Sequence, residues 1–212
     1  MAKANKFKFT KPEKSWIMYD WANSVYATNI LAVIFPIYFG SVCQAAGADN
    51  LVLWSYGTSI STFVVAILAP VLGALADHKG HKKKLFTAFL VIGVLFTLTS
   101  ALFDEYRMLL VGYVLSHIGF SGSCLFYDSF LTDVTTNERM DRVSSWGYAM
   151  GYIGGSTIPF LISIVILFVM GMDNMLAFKL VIALTSVWWA AFSIPFMKNV
   201  HQVHYIEPQR NL

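Results

Sequence analysis

Charged side chains are scarce in this 212-residue sequence, since Asp, Glu, Lys and Arg together make up 13% of it. Soluble globular domains carry about 25% charged residues. Apolar residues make up 57% of the chain, and its mean hydropathy is +0.60. So few charges cannot cover a water-exposed surface, which excludes an ordinary soluble globular protein and indicates an integral membrane protein.

Motifs for cofactors and nucleotides are also missing. The two cysteines, Cys43 and Cys124, fall just past the first long apolar run and within the fourth, so neither a disulfide nor a metal-binding spacing is indicated. The sequence has no glycine-rich phosphate loop ending in Gly-Lys-Ser/Thr, so it gives no support to a nucleotide-driven pump. We expect no metal, haem, flavin or other cofactor.

Six apolar runs are long enough to cross a bilayer, whose hydrocarbon core of ~30 Å requires about 20 helical residues. They cover residues 16–39, 52–76, 85–103, 108–131, 143–170 and 180–197. The runs are continuous and lack the alternation of barrel strands. We therefore predict an all-α integral membrane protein: a six-helix bundle at 16–197, a basic tail at 1–15, and at 198–212 a cytosolic tail or the start of a central loop.

Lysine and arginine are unequally divided between the two sides of such a bundle. Both tails and the second and fourth loops hold 13 of the 15, whereas the other side has only Arg107 and Lys179. Because these residues accumulate on the cytosolic side, we predict a multi-pass protein of the cell membrane with both termini in the cytosol. The net charge of +3 then reflects topology, and no nucleic-acid partner is indicated.

Two acids, Asp20 and Asp128, interrupt the apolar runs. An ionisable group within the hydrocarbon costs at least ~2.5–3.5 kcal/mol, so it normally faces the bundle interior or a water-filled cavity. The first and fourth helices run in opposite directions, which puts the two acids at similar depth. We therefore expect them to face each other across a polar cavity.

Helical periodicity of 100° per residue predicts which side chains share the face of each acid. On the first helix Asn29 falls on the opposite face. The residues predicted to line the cavity are Asp20, Asn23, Ser24, Tyr113, His117, Ser121 and Asp128.

Structural roles are the alternative for the same residues. Asp20 could cap a helix that starts at the membrane interface, and Asp128 could follow a fourth helix that ends early. His117 could be a neutral side chain that is hydrogen-bonded to a neighbouring helix.

Four glycines fall close together on the fifth helix: Gly147, Gly151, Gly154 and Gly155. Small residues at this spacing allow helix backbones to approach closely in a membrane. We predict a packing face, which could also let helices slide during a conformational change.

The segment GALADHKGHKKK at 73–84 resembles the loop signature of the major facilitator superfamily, with His78 and His81 where that signature usually has Arg or Lys. The segment ERMDR at 138–142 and the glycines after it resemble the loop and fifth helix of the same superfamily, with Tyr152 where a proline is typical of its antiporters. YDWANS at 19–24, FPIYF at 35–39, APVLG at 69–73 and FYD at 126–128 resemble the branch of autophagy-related vacuolar amino-acid effluxers and their bacterial relatives.

The resemblance implies a fold of twelve helices in two six-helix halves, with substrate bound between them. This chain resembles the N-terminal half of a secondary transporter that exports or exchanges a small polar solute, such as amino acids, by alternating access. The implied partners are the lipid bilayer, the solute, protons as a candidate coupling ion, and a second six-helix half. In a eukaryote, the implied location is the vacuolar membrane.

The same resemblance implies a cytosolic gate, in which Asp77 pairs with Arg139 and Arg142 to hold one state closed. The residues assigned to this gate are Gly73, Asp77, Gly80, Lys82, Glu138, Arg139 and Arg142.

Other readings of the chain stay open. The second half could be a separate chain or a second copy, or the chain could be a truncated fragment or a membrane partner that does not transport. An intramembrane aspartyl protease would use two carboxylates that share a proton. However, neither Asp20 nor Asp128 lies in the Gly-x-Gly-Asp context of such enzymes.

Overall fold

A computed structural model describes residues 7–207 of the chain. Lys3, Lys6 and Arg210, which contribute to the predicted charge asymmetry, lie outside the described residues. Within the described part, six helices are long and apolar enough to cross a membrane. The prediction of an all-α protein with six spans is therefore confirmed.

We number these spans helix 1 to helix 6. They are Lys11–Ala45, Asn50–Ala76, His81–Ser100, Tyr106–Ser129, Asn137–Met170 and Met175–Asn199. A four-residue helix, Leu131–Val134, lies between helix 4 and helix 5.

Several helices begin earlier than hydropathy predicts, because polar capping residues start them. Helix 1 begins at Lys11, five residues before the predicted span, after the N-cap Thr10. The Thr10 backbone N–H donates to Glu13 Oε2 over 2.7 Å, and the Glu13 N–H donates to Thr10 Oγ1 over 3.3 Å. This reciprocal capping box satisfies N–H groups that the first turn leaves unpaired. Asn174 caps helix 6 in a similar way, by accepting from the Leu176 N–H.

Two of the helices contain a π-helical segment near their middle. In helix 1 it covers Ala27–Ala32, and in helix 5 it covers Gly151–Thr157. Pro36 and Pro159 follow these segments. Since proline has no N–H to donate, it removes one α-helical hydrogen bond and favours such an irregularity. Each π segment shifts the helical register, so the faces before and after it do not follow one straight wheel.

Helix 1 occupies the centre of the bundle. It packs against helices 5 and 6, and helix 4 packs against helices 2 and 3. Helices 3 and 6 also contact each other, which joins the two groups. Aromatic rings fill the interior at this junction, where Phe86 and Phe196 lie 4.4 Å apart and Tyr19 contacts both.

The outer faces of helices 2 and 5 remain apolar and exposed. On helix 2, exposed side chains recur every three or four residues, at Tyr56, Ile60, Phe63, Ile67 and Val71. A face of this kind requires either lipid or another helical bundle as its neighbour.

Candidate functional site

A cavity of about 220 Å³ lies between helix 1 and helix 5. Its lining residues are Asp20, Ser24, Ala27, Tyr148, Gly151, Tyr152 and Ser156. Ala27 and Gly151 are the first residues of the two π segments. Because π segments often occur where a helix is adapted to a functional site, this cavity is the best candidate site in the described part of the chain.

The Asp20 carboxylate lies in a narrow space beside helices 4 and 5. A Cβ atom on Gly147 would lie 2.7 Å from Asp20 Oδ2 and 3.4 Å from the Tyr127 hydroxyl. The Asp20 carboxylate and the Tyr127 hydroxyl therefore both lie close to Gly147. Trp16 fixes Tyr127 by donating from Nε1 to its carbonyl over 3.0 Å and by stacking on its ring at 4.4 Å.

Asp128 lies at the rim of the bundle. Helix 4 ends at Ser129, two residues before the predicted end, so Asp128 is in its last turn and is exposed. The Asp20 carboxylate and the Tyr127 hydroxyl both approach Gly147, and Asp128 is the residue that follows Tyr127. The structure thus brings the two acids into one region, with Asp20 partly enclosed and Asp128 open.

The helical wheel predicted that polar residues of helices 1 and 4 line one shared cavity. Of these residues, only Asp20 and Ser24 are among those that line the cavity between helices 1 and 5. Asn23 is buried and its Nδ2 lies 3.6 Å from Cys124 Sγ. Two tyrosine–serine hydrogen bonds also join these helices: Tyr19 to Ser123 at 2.9 Å and Tyr26 to Ser116 at 2.8 Å. The rings of both tyrosines are buried between the two helices.

Three further predicted residues of helix 4 have other surroundings. The Tyr113 hydroxyl is 3.0 Å from Thr58 Oγ1, and its ring stacks on Trp54 at 4.2 Å. His117 packs against Tyr113, and its Nδ1 is buried without a hydrogen-bond partner among residues 7–207. Ser121 is half-buried. None of the three lines the cavity beside Asp20.

Asn29, on the opposite face of helix 1, forms a polar junction that sequence reasoning did not include among the sites. Its Nδ2 donates to Ser163 Oγ on helix 5 and to Thr185 Oγ1 on helix 6, both at 2.9 Å. All three residues are buried. The junction holds three helices together just beyond the cavity, and a single asparagine in an apolar run was its only signal.

The glycines of helix 5 pack directly against helix 1. A Cβ on Gly151 would lie 2.8 Å from Ser24 Oγ, and one on Gly155 would lie 2.9 Å from the Trp21 carbonyl. At Gly154 a Cβ would overlap the Trp21 ring. The close approach of the two backbones at the cavity depends on these residues.

Arg139 pairs with Glu13 in this structure, and not with Asp77, the partner that the resemblance implied. Arg139 Nε and Nη2 donate to the two Glu13 carboxylate oxygens, each over 2.7 Å. Thr135 Oγ1 donates to the same carboxylate over 2.7 Å. Sequence reasoning missed Glu13 because it lies before the first apolar run, although the Thr-x-x-Glu capping pattern marks it.

The other predicted gate residues are more exposed. Asp77 is exposed and forms no ion pair within residues 7–207. Glu138 is exposed as well. The guanidinium groups of Arg139 and Arg142 lie over the Phe7 ring at 4.1 and 4.2 Å from its centroid.

Lys82 has a partner that we did not predict. Its ammonium lies 2.8 Å from Asp133 Oδ2, and both side chains are buried. The other Asp133 oxygen accepts from the backbone N–H groups of Val203 and His204, each at 2.8 Å. Asp133 thereby connects helix 3 to the segment that follows helix 6.

The two glycines of the signature loop differ in their surroundings. Gly80 has a φ of +76°, a conformation that favours glycine, and begins helix 3 as its N-cap. Gly73 faces open space, since a Cβ there would meet no atom within 4 Å. Within residues 7–207, no group of three or more His, Cys, Asp or Glu side chains could hold a metal ion.

Comparison with known proteins identifies the family. The family model described as "Vacuole effluxer Atg22 like" matches residues 51–139 and 132–211. An uncharacterized MFS-type transporter YxiO of Bacillus subtilis (strain 168) is 41% identical, over 97% of this chain and 50% of its own length. Autophagy-related protein 22 of Pichia angusta is 26% identical, over 83% of this chain and 36% of its own length.

No solved structure matches the chain. The chain spans half or less of the length of these two relatives. Since the family model covers most of its residues, the chain belongs to the Atg22-like family of major facilitator transporters.

Proposed function

We propose that this chain forms the first half of a secondary active transporter that exports or exchanges a small polar solute by alternating access. Amino acids are the leading class of solute, in line with the resemblance to amino-acid effluxers. The chain would lie in the cell membrane. Both termini, which lie on the side rich in lysine and arginine, would face the cytosol.

The cavity beside Asp20 carries this proposal. It places a partly enclosed carboxylate, a serine and two tyrosines inside a membrane span, where a polar group is costly unless it has a function or a partner. Its volume of about 220 Å³ is below the ≈300–1,000 Å³ of typical ligand pockets. A second half placed against the open side would complete it.

Two exposed surfaces support the proposal that another bundle packs against this one. They are the apolar face of helix 2 and the tyrosines of helix 5. Tyr148 and Tyr152 both line the cavity and are 67% and 71% exposed. Tyrosine combines an apolar ring with a hydroxyl, which suits a boundary between a helix interface and a polar cavity. We propose that a second six-helix half, either a separate chain or another copy, covers this side.

Protons are the proposed coupling ion. Asp20 and Asp128 lie in one region of the bundle, where two charged carboxylates would repel each other, and a proton bound to one of them would remove that repulsion. Four other predicted residues act at a distance from Asp20 in this proposal. They position helix 4 and its contact with helix 1, and they are His117, Ser121, Tyr113 and Asn23.

The proposed cytosolic gate has two ion pairs with buried carboxylates at its centre, Arg139 with Glu13 and Lys82 with Asp133. Asp77, Glu138 and Arg142 lie on the same end of the bundle, exposed to a partner. We propose that they engage the second half when the cytosolic side closes, while Gly73 and Gly80 allow the loop to approach it.

Counterflow in proteoliposomes tests the proposal. Vesicles would be loaded with unlabelled amino acids and given the same amino acids in labelled form outside. They would contain the purified chain alone or together with any six-helix polypeptide that proves to be encoded next to it. We expect uptake when both halves, or a dimer of this chain, are present. Asp20→Asn should reduce uptake, whereas Asp173→Asn, an exposed acid in a distant loop, should not.

An absence of counterflow in every combination, with correctly inserted protein, would favour the alternative of a membrane partner that does not transport. The relatives are transporters by family, which argues against the intramembrane protease. Cleavage of a transmembrane peptide that depends on Asp20 and Asp128 would reinstate it.

A further inference from the structure

A second, larger cleft of about 650 Å³ lies at the start of helix 3 and shares no lining residue with the cavity beside Asp20. It is formed by the loop before helix 3, the first two turns of that helix, and the segment after helix 6. Its lining residues are Lys79, Gly80, Lys83, Lys84, Thr87, Ala88, His201, Gln202 and Tyr205.

The cleft has a strongly positive lining. Three lysines contribute to it and no acidic residue does. Lys79 and Lys84 are exposed and form no ion pair within residues 7–207. The half-buried Lys83 ammonium donates to the Val200 carbonyl, which fixes it at the inner wall. Such a lining attracts an anion and offers several donors to it.

Local backbone structure adds to the positive field. The cleft lies at the N-terminus of the 20-residue helix 3, where the helix dipole favours negative charge. The Gly80 N–H donates to Gln202 Oε1 over 2.9 Å, and Gln202 Nε2 donates to the Ala76 carbonyl over 2.8 Å. These bonds hold the segment after helix 6 in place as a wall of the cleft.

An apolar stripe on helix 3 continues from the cleft towards the middle of the membrane. Ala88, Val91, Leu95 and Leu98 are exposed and recur every three or four residues, so they share one face. From residue 88 to residue 98 the helix rises by about 15 Å, which is half of a ~30 Å hydrocarbon core. The stripe therefore has the length of one leaflet.

We propose that the cleft binds the phosphate-bearing head group of an anionic phospholipid, whose acyl chain lies along this stripe of helix 3. The lysines supply the charge attraction, and the stripe supplies the apolar contact that a soluble phosphate cannot use. The ligand is thus an amphiphile in the leaflet on the lysine-rich side of the protein, where anionic lipids and basic segments attract each other.

Native mass spectrometry of the purified full chain in detergent, titrated with phosphatidylglycerol or phosphatidylcholine, tests the proposal. We expect the dissociation constant for phosphatidylglycerol to be about tenfold lower or more, since each lysine near anionic lipid contributes on the order of a fivefold change. Lys79→Gln with Lys84→Gln should abolish the preference. The matched control, Lys11→Gln with Lys14→Gln, removes two exposed lysines of helix 1 and should preserve it.

A second variant tests the stripe without removing a lysine. Ala88→Glu places a carboxylate on an exposed position between the cleft and the stripe, and it should weaken phosphatidylglycerol binding about as much as the double lysine variant. Circular dichroism checks that all variants keep their helix content. Unchanged lipid preference in both variants would overturn the proposal, and so would an equal loss in the control. Displacement of the lipid by equimolar inorganic phosphate would instead identify a soluble phosphate as the ligand.

Discussion

Arg139 and Glu13 lie 126 positions apart in the sequence, yet the guanidinium group donates two parallel hydrogen bonds of 2.7 Å to the carboxylate. Glu13 is only 1% exposed. The pair connects the first turn of helix 1 to the first turn of helix 5, the two helices that enclose the cavity beside Asp20. It therefore connects these two helices at the end of the bundle where both of them begin.

Breaking this pair should destabilise the protein. Arg139→Ala leaves a buried carboxylate without its charged partner, so we expect the free energy of unfolding to fall by more than in the control below. Denaturant unfolding of the purified chain in detergent measures it. Lys14→Gln, which removes an exposed charge from the residue after Glu13, is the control and should change stability by less than about 0.5 kcal/mol. Equal stability of the two variants would show that the ion pair contributes little.

Two glycines give predictions of opposite sign: Gly155 on the packing face of helix 5 and Gly73 on helix 2. Gly155→Ala would put a Cβ 2.5 Å from Ser24 Cβ and 2.9 Å from the Trp21 carbonyl, so helix 5 must move away from helix 1. We expect a loss of about 1–3 kcal/mol. Gly73→Ala meets no atom within 4 Å and should gain up to about 1 kcal/mol from helix propensity. Thermal unfolding compares them, and a stabilised Gly155→Ala protein would contradict the packing role.

The predicted orientation is tested with new cysteines, because Cys43 is buried and cannot report on its side of the membrane. Ala46→Cys lies in the exposed loop between helices 1 and 2, and Lys79→Cys lies in the loop between helices 2 and 3. In intact cells an impermeant thiol reagent should label the first and not the second, which becomes reactive on permeabilisation. The reverse pattern would place both termini outside.

Proton coupling predicts a specific defect at the two acids. In the complete transporter, Asp20→Asn or Asp128→Asn should abolish uphill transport driven by a pH gradient while downhill exchange stays measurable. The reason is that an amide can occupy the same space but cannot bind and release the coupling proton. Transport assays in vesicles with and without the gradient separate the two activities.

Asp173→Asn serves as the control for general effects of removing an acid, since Asp173 is exposed in the loop between helices 5 and 6. If both Asn variants accumulate solute as the parent does, the two acids are structural and another ion drives transport.

Asp133 and Asp77 should differ in what they control. Asp133→Asn weakens the contact to Lys82 and the anchoring of Val203 and His204, so chymotrypsin should cut faster at Tyr205. Asp77 is exposed and accepts from the Ile206 N–H only through its backbone carbonyl, so Asp77→Asn should leave that cleavage unchanged. It should lower transport in the complete protein instead. Equal cleavage rates would contradict the anchoring role of Asp133.

The local pattern of the sequence was sufficient for the fold class and the number of spans. Hydropathy over about 20 residues reports burial in lipid, whichever helices later become neighbours, so all six spans were predicted within a few residues at most ends. The ends that differ, such as Lys11 and Asn137, are polar turns outside the hydrocarbon. Motif resemblance supplied the family, which the comparisons confirm.

Which faces meet was decided by tertiary structure. The helical wheel grouped Asp20 with Ser24 correctly, but it could not tell that helix 5, through its glycines, approaches this face more closely than helix 4 does. The tyrosines at 19 and 26 occupy the helix 4 side because large rings fill a gap that a wheel cannot measure.

The ion pairs depended on tertiary structure for the same reason. The sequence marks Glu13 and Asp133 only as polar residues outside the apolar runs, equivalent to the exposed Asp77. Their burial arises because helix 1 starts beside helix 5, and because the segment after helix 6 crosses the start of helix 3. Composition and periodicity thus determined a six-span bundle, whereas the approach of distant helix ends determined which charges are paired within it.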